Sequence, residues 1–124
     1  MKLLVAGSRS IVDSTSINEK LEDYNKSNGP ITEIVSGGAR GPDRIAASWG
    51  HSKNIPVTVF YPNWNLLGKC AGMVRNKEMA EYADVAICFW DGKSNGTRNT
   101  IEEMRKCRKP IEVIVYGDLY ETGK

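Results

Sequence analysis

The sequence predicts an α/β protein: a doubly wound, parallel sheet of five strands in three layers, α/β/α. Three observations predict it. Short apolar runs alternate along the chain with segments of helical periodicity, the rhythm of repeated strand–helix units. The runs are apolar nearly throughout, as in Leu3-Leu4-Val5-Ala6 and Val85-Ala86-Ile87-Cys88-Phe89, which suits strands covered on both faces. Glycine-rich loops follow the second and fourth runs, where helices begin.

The first strand, Leu3 to Ala6, ends at Gly7-Ser8-Arg9. Ser14 or Thr15 caps a helix running to about Tyr24, with Ile17, Leu21 and Tyr24 on one side. Asn28-Gly29-Pro30 breaks it, and Ile31 to Val35 is the second strand. Pro42 suits the first position of the next helix, where its missing N–H costs nothing. That helix reaches about Lys53, with Ile45, Ala46 and Trp49 facing inward. Val57 to Phe60 is the third strand, and Tyr61 to Asn65 reads as a turn-rich connection. A helix over Ala71 to Tyr82 leads to the fourth strand, Val85 to Phe89. The loop DGKSNGT opens a last helix from Thr97 to about Cys107, which Lys109-Pro110 ends before a fifth strand, Ile111 to Tyr116. These elements make one Rossmann-like unit over residues 1–116, with 117–124 as a polar tail.

Bulk properties narrow the class. A chain of 124 residues supports one core but not two. The 17 basic and 15 acidic residues nearly cancel, which argues against a nucleic-acid partner. The basic run Arg105 to Lys109 sits at a helix C-terminus, where the dipole already favours positive charge. Cys70, Cys88 and Cys107 show no metal-ligand spacing, and His51 is the single histidine. Neither a metal nor another cofactor is therefore expected, and the cysteines suit a reducing compartment, the cytoplasm. The apolar run Leu3 to Ala6 is too short for a signal peptide, and no run has the length of a membrane span.

Ligands of open parallel sheets bind beyond the carboxyl ends of the strands. Gly7-Ser8-Arg9, Ser36 to Asp43, Tyr61 to Asn65 and Trp90 to Thr97 all reach that edge. Two of these segments are glycine-rich and open helices, so free N–H groups and the helix dipole favour an anion there. Arg9 and Arg40 add guanidinium donors for phosphate oxygens. Trp64 and Trp90 lie where an aromatic ring can stack on a base or simply pack. Neither GxxxxGK[ST] nor GxGxxG is present, which argues against a P-loop NTPase or an NAD dehydrogenase.

VAGSR, SGGARGPDRIAA, GMVRNKEMA and FWDGKSNGT, in that order, resemble the SLOG superfamily, most closely its small stand-alone YspA/YpsA-related branch. The superfamily also holds the "lonely guy" phosphoribohydrolases and the DprA/Smf DNA-processing proteins. The resemblance spans residues 1–116 and implies a single nucleotide-binding domain, with a homodimer as its expected form. It implies that Gly7, Ser8 and Arg9 line the pocket, and that Ser36, Gly37, Gly38, Ala39, Arg40, Gly41 and Asp43 cradle phosphate or ribose. Arg75 and Asn76 would face the ligand, while Trp90, Gly92, Gly96 and Thr97 would complete a second anion loop. Asp43 also suits a helix start without touching any ligand. Met73, Met79 and Tyr82 suit either the core or a dimer seam.

One departure bears on chemistry. Phosphoribohydrolases carry a glutamate in PGGxGTxxE, and Thr100 stands at that position here. A hydroxyl cannot replace a carboxylate that supports glycosidic cleavage, and no other catalytic residue is evident. The expectation is a binding protein, a sensor or a sequestering sponge, for an ADP-ribose-like or cyclic signalling nucleotide. An N-glycosidic hydrolase is the alternative, and single-stranded DNA binding the third possibility.

Overall fold

Alternation along the first strand decides how the layers form. Successive side chains of a strand point to opposite faces, so Leu3 and Val5 enter one core while Leu4 and Ala6 enter the other. A computed structural model, which describes residues 1–116, shows five parallel strands. They are β1 (Lys2–Gly7), β2 (Glu33–Ser36), β3 (Val57–Val59), β4 (Val85–Trp90) and β5 (Ile111–Val115), in the order β3-β2-β1-β4-β5. The helices are α1 (Ser14–Asn28), α2 (Pro42–Ser52), α3 (Trp64–Leu67), α4 (Ala71–Tyr82) and α5 (Asn95–Lys106).

On one face, Leu3, Val5, Ile34, Ile87 and Phe89 pack against Ile17 and Leu21 of α1 and Ala46 and Trp49 of α2. On the other, Leu4, Val35 and Ala86 meet Met79 and Ala80 of α4 and Met104 of α5, while Ala6 and Cys88 meet Ile101. Met79 is thus core, whereas Met73 and Tyr82 stay exposed on α4. The chain moves outward from β1 to β3, crosses back to β4, and moves outward again to β5. The strand order therefore reverses between β1 and β4, and a crevice opens beyond their carboxyl ends.

Several boundaries differ from the sequence expectation, each for a local reason. Helix α1 continues to Asn28, and the Asn25 side chain then accepts the Ile31 N–H at 2.8 Å, so Ile31 is buried before β2 begins. The Tyr61–Asn65 connection contains the short helix α3, capped by Asn63, whose side chain accepts the Leu66 N–H at 3.1 Å. Helix α5 starts at Asn95 because Ser94 is its cap. The ammonium of Lys109 closes the end of α4, donating to the carbonyls of Ala80, Glu81 and Ala83 at 2.9, 2.7 and 2.6 Å. The predicted tail, residues 117–124, lies outside the described residues. Among those residues no helix is long and apolar enough to cross a membrane.

Candidate functional site

Beyond the ends of β1 and β4 lies a cavity of about 440 Å³, within the range of small-molecule sites. Gly7, Ser8 and Arg9 form one wall, Ala39 and Asp43 a second, and Arg75 and Asn76 a third. Gly96 and Thr97, in the first turn of α5, close the fourth, and Ala6, Met79 and Thr100 also line it.

The anion expected in the loop SGGARGPD is present, and it belongs to the chain. Asp43, 5% exposed, turns its carboxylate back into the loop, where Oδ2 accepts the Ala39 N–H at 3.4 Å. Burial pushes its pKa up to about 6, against the pull of the Ala39 N–H, the Arg75 guanidinium and the Gly37 N–H. A side chain at Gly37 would come within 2.9 Å of Asp43 Oδ2 and 2.7 Å of Arg75 Nη1, so only glycine leaves room for the two to approach. Gly41, with φ of 85°, packs on the carbonyls of Ser8 and Ile11, which locks this loop to the one after β1. The Ser36 hydroxyl braces the same turn, donating to the Asp43 carbonyl and accepting the Gly38 N–H, both at 3.1 Å.

Arg75 reaches across from α4. Its Nη1 donates to the carbonyls of Gly37 at 2.8 Å and Phe60 at 3.2 Å, and its Nε donates to Asn76 Oδ1 at 2.9 Å. Burial lowers its pKa and Asp43 raises it, while Arg9 lowers it further; a guanidinium stays charged under such shifts. The Arg9 effect means that two cations share the cavity, and an anion between them relieves their repulsion. Buried Asn76 donates to Asn99 Oδ1 at 2.9 Å and to the Gly96 carbonyl at 3.4 Å, holding α4 against the start of α5.

The loop after β4 is built around Asp91. Its Oδ1 accepts the N–H groups of Lys93 and Ser94, both at 2.8 Å, and its own N–H donates to the Ser8 hydroxyl at 3.0 Å. Burial alone would raise the Asp91 pKa; the Ser94 and Lys93 N–H groups and the Ser8 hydroxyl hold it below the usual carboxylate range. Ser94 then caps α5, its hydroxyl accepting the Thr97 N–H at 3.5 Å. The first-turn N–H groups of a helix have no acceptor within the helix; the Ser94 hydroxyl takes that of Thr97, and Gly96 and Thr97 border the cavity, so the positive end of the α5 dipole faces it.

The structure thus brings together Gly7, Ser8, Arg9, Ala39, Asp43, Arg75, Asn76, Gly96 and Thr97. Ser36, Gly37, Gly38 and Gly41 shape the loop behind the cavity without lining it. Arg40 is exposed and outside the cavity. Trp90 is also outside, its Nε1 donating to the Ser94 carbonyl at 3.0 Å and its ring lying beneath Arg98. Gly92, with φ of 80°, supplies the turn. Missed in the sequence were Ala6, Ser10, Met79, Asp91, Ser94 and Thr100 as lining residues. For Asp91 and Ser94 the signal was there: an acid, then a serine three residues later opening a helix, is a turn-and-cap pattern. Thr100, 2% exposed, donates its hydroxyl to the Gly96 carbonyl at 3.2 Å.

A parallel sheet in this order, with a cavity suited to an anion at its switch point, defines a Rossmann-like α/β protein. The chain belongs to the YspA, cpYpsA-related SLOG family, whose model matches residues 1–66. It is 36% identical over 123 residues to the gene 61 protein of Mycobacterium phage D29, covering 94% of this chain and 97% of that protein. Its fold is similar to DNA processing protein A from Helicobacter pylori, with a TM-score of 0.70 at 21% identity over 99% of this chain and 73% of the other. The same protein from Streptococcus pneumoniae gives a TM-score of 0.58 at 16% identity, over 98% of this chain and 61% of the other.

This comparison corrects the expectation against a nucleic-acid partner, since the Helicobacter pylori protein, with this fold, binds single-stranded DNA. The physical error lay in averaging charge over the whole chain. The loops and first helical turns at the carboxyl edge carry Arg9, Arg40, Arg44, Lys69, Arg75 and Arg98. The acids there, Asp13, Asp43 and Asp91, each accept backbone N–H groups.

Proposed function

We propose that the switch-point cavity binds a nucleotide, with a phosphate against the first turn of α5 and the Arg9–Arg75 pair. One observation carries this reading: a 12-residue helix and two guanidiniums converge on one cavity, and each favours a phosphate. Asp91, at the same cavity, offers an acceptor to a ribose hydroxyl. Residues 1–116 then act as one nucleotide-binding domain in the cytoplasm, as a homodimer. The ligand class is an ADP-ribose-like or cyclic signalling nucleotide, held for sensing or sequestration. Holding is favoured over cleavage because Thr100 lines the cavity where the phosphoribohydrolases carry their glutamate.

A second reading, that the nucleotide is a unit of single-stranded DNA, is favoured by the likeness to the Helicobacter pylori protein and by the cations at this edge. Thermal stabilisation by a nucleotide panel, followed by chromatography of the recovered ligand, tests both. Stabilisation with intact ligand supports holding, and release of free base overturns it. Stabilisation by an oligonucleotide alone, weakened by salt, favours the second reading.

A further inference from the structure

The connection between β3 and α4 holds aromatic surface that the cavity does not use. Tyr61 is 77% and Trp64 58% exposed, and with Pro62, Asn63 and Asn65 they line a shallow cleft of about 380 Å³. Both rings are seated on glycines. A Cβ at Gly38 would lie 3.4 Å from the Tyr61 ring, and one at Gly72 would lie 3.7 Å from the Trp64 ring. Tyr61 thus borders the Gly38 backbone along one ring edge and Trp64 approaches Gly72 through Cη2, and both leave most of their surface bare to solvent, as a stacking surface requires.

The surroundings are cationic. From Phe60 to Lys77 the chain carries Lys69, Arg75 and Lys77 and no carboxylate. Arg44 donates to the Gly38 carbonyl at 3.2 Å, beside the Tyr61 ring. Arg75 joins cleft to cavity, because its guanidinium binds both the Phe60 and the Gly37 carbonyls. A two-fold contact between copies through this patch would bring Lys69 and Lys77 toward their own copies with no acid in the segment to neutralise them. A polyanion bearing flat apolar groups fits better.

We infer that Tyr61 and Trp64 form a stacking platform for the bases of single-stranded nucleic acid, whose backbone follows Arg44 toward the switch-point cavity. This inference rests on the second reading of the proposed function. Duplex bases are already stacked on each other, so the platform selects single strands, and the exposed Asn65 amide offers a donor and an acceptor to a base edge.

The test uses fluorescence anisotropy with a labelled oligothymidylate, an abasic strand of equal length, and AMP as the probe of the cavity. Tyr61→Ala with Trp64→Ala, which removes two stacking rings, is expected to weaken oligothymidylate binding roughly 30-fold or more. The same variant leaves the abasic strand, the AMP affinity and the salt slope unchanged. Tyr61→Phe with Trp64→Phe restores binding, whereas Arg44→Ala reduces the salt slope. Oligothymidylate bound no better than the abasic strand, or bound equally by the alanine variant, overturns the platform and leaves the cavity reading intact. AMP failing to bind while the oligonucleotide still responds to the alanine variant sinks the cavity reading alone. A wild-type dimer that the alanine variant dissociates without loss of oligonucleotide affinity makes the patch an interface between copies and also overturns the inference.

Discussion

Replacing Asp43 by asparagine isolates the charge that fills the glycine-rich loop. The carboxylate is buried, and its pKa stands at about 6 against an ordinary value of 3.8. Since the folded pKa lies above the unfolded one, the folded protein holds this proton more tightly. The group's contribution to stability is complete below pH 4 and is lost as pH rises through about 6. A pKa unit is worth about 1.4 kcal/mol, so the loss between pH 4 and 7 comes to about 2–3 kcal/mol. Asparagine does not titrate. Urea denaturation of both proteins across that range, taken as a difference, cancels the other titrating groups. The wild type is expected to lose about 2–3 kcal/mol relative to Asp43→Asn from pH 4 to 7. A difference flat to about 0.5 kcal/mol, the ordinary scatter of surface effects, or one that grows with pH would refute a buried carboxylate whose desolvation outweighs its amide and Arg75 contacts.

Three further outcomes follow from the same geometry. Protonating Asp43 removes the counter-charge beside Arg75, so affinity for a phosphodiester is expected to rise roughly two- to tenfold from pH 7 to 5, read by calorimetric titration; Asp43→Asn flattens the profile. Gly37→Ala places a methyl against Arg75 Nη1 and Asp43 Oδ2; denaturation should show a loss of about 1–3 kcal/mol, with weaker nucleotide binding. Lys109→Met leaves three carbonyls at the end of α4 without their cation, costing about 1–2 kcal/mol by the same assay, while nucleotide affinity stays within twofold because the change lies far from the carboxyl edge.

The central strands β1 and β4 were legible because each is apolar on both faces, as a covered parallel sheet requires, whereas β3 and β5, with Thr58 and Glu112 in them, were read from their place between helices. Helix α3 was not, since four residues hold no periodicity and only the Asn63 cap announces it. Within the site, small residues and helix starts marked the right loops, but side-chain direction lies outside such patterns. Asp43 and Arg40 stand three apart in one loop, yet the first turns inward to occupy the amides and the second faces solvent. Arg40 was expected to offer its guanidinium to a ligand phosphate; it is Arg75, on another helix, that lines the cavity beside Arg9. Charge failed for a related reason: a sum over the chain carries no information about which edge holds the arginines.

In the proposed complex a ligand phosphate meets α5 and the loop after β1, while the loop SGGARGPD is filled by its own carboxylate. Titration of the ¹⁵N-labelled protein with the dinucleotide TpT, followed through backbone amide shifts, tests it directly. The largest shifts are expected at Ser8, Arg9, Gly96 and Thr97, with Gly38 to Gly41 moving little. Shifts concentrated at Gly38 to Gly41, with Gly96 and Thr97 unmoved, would contradict it.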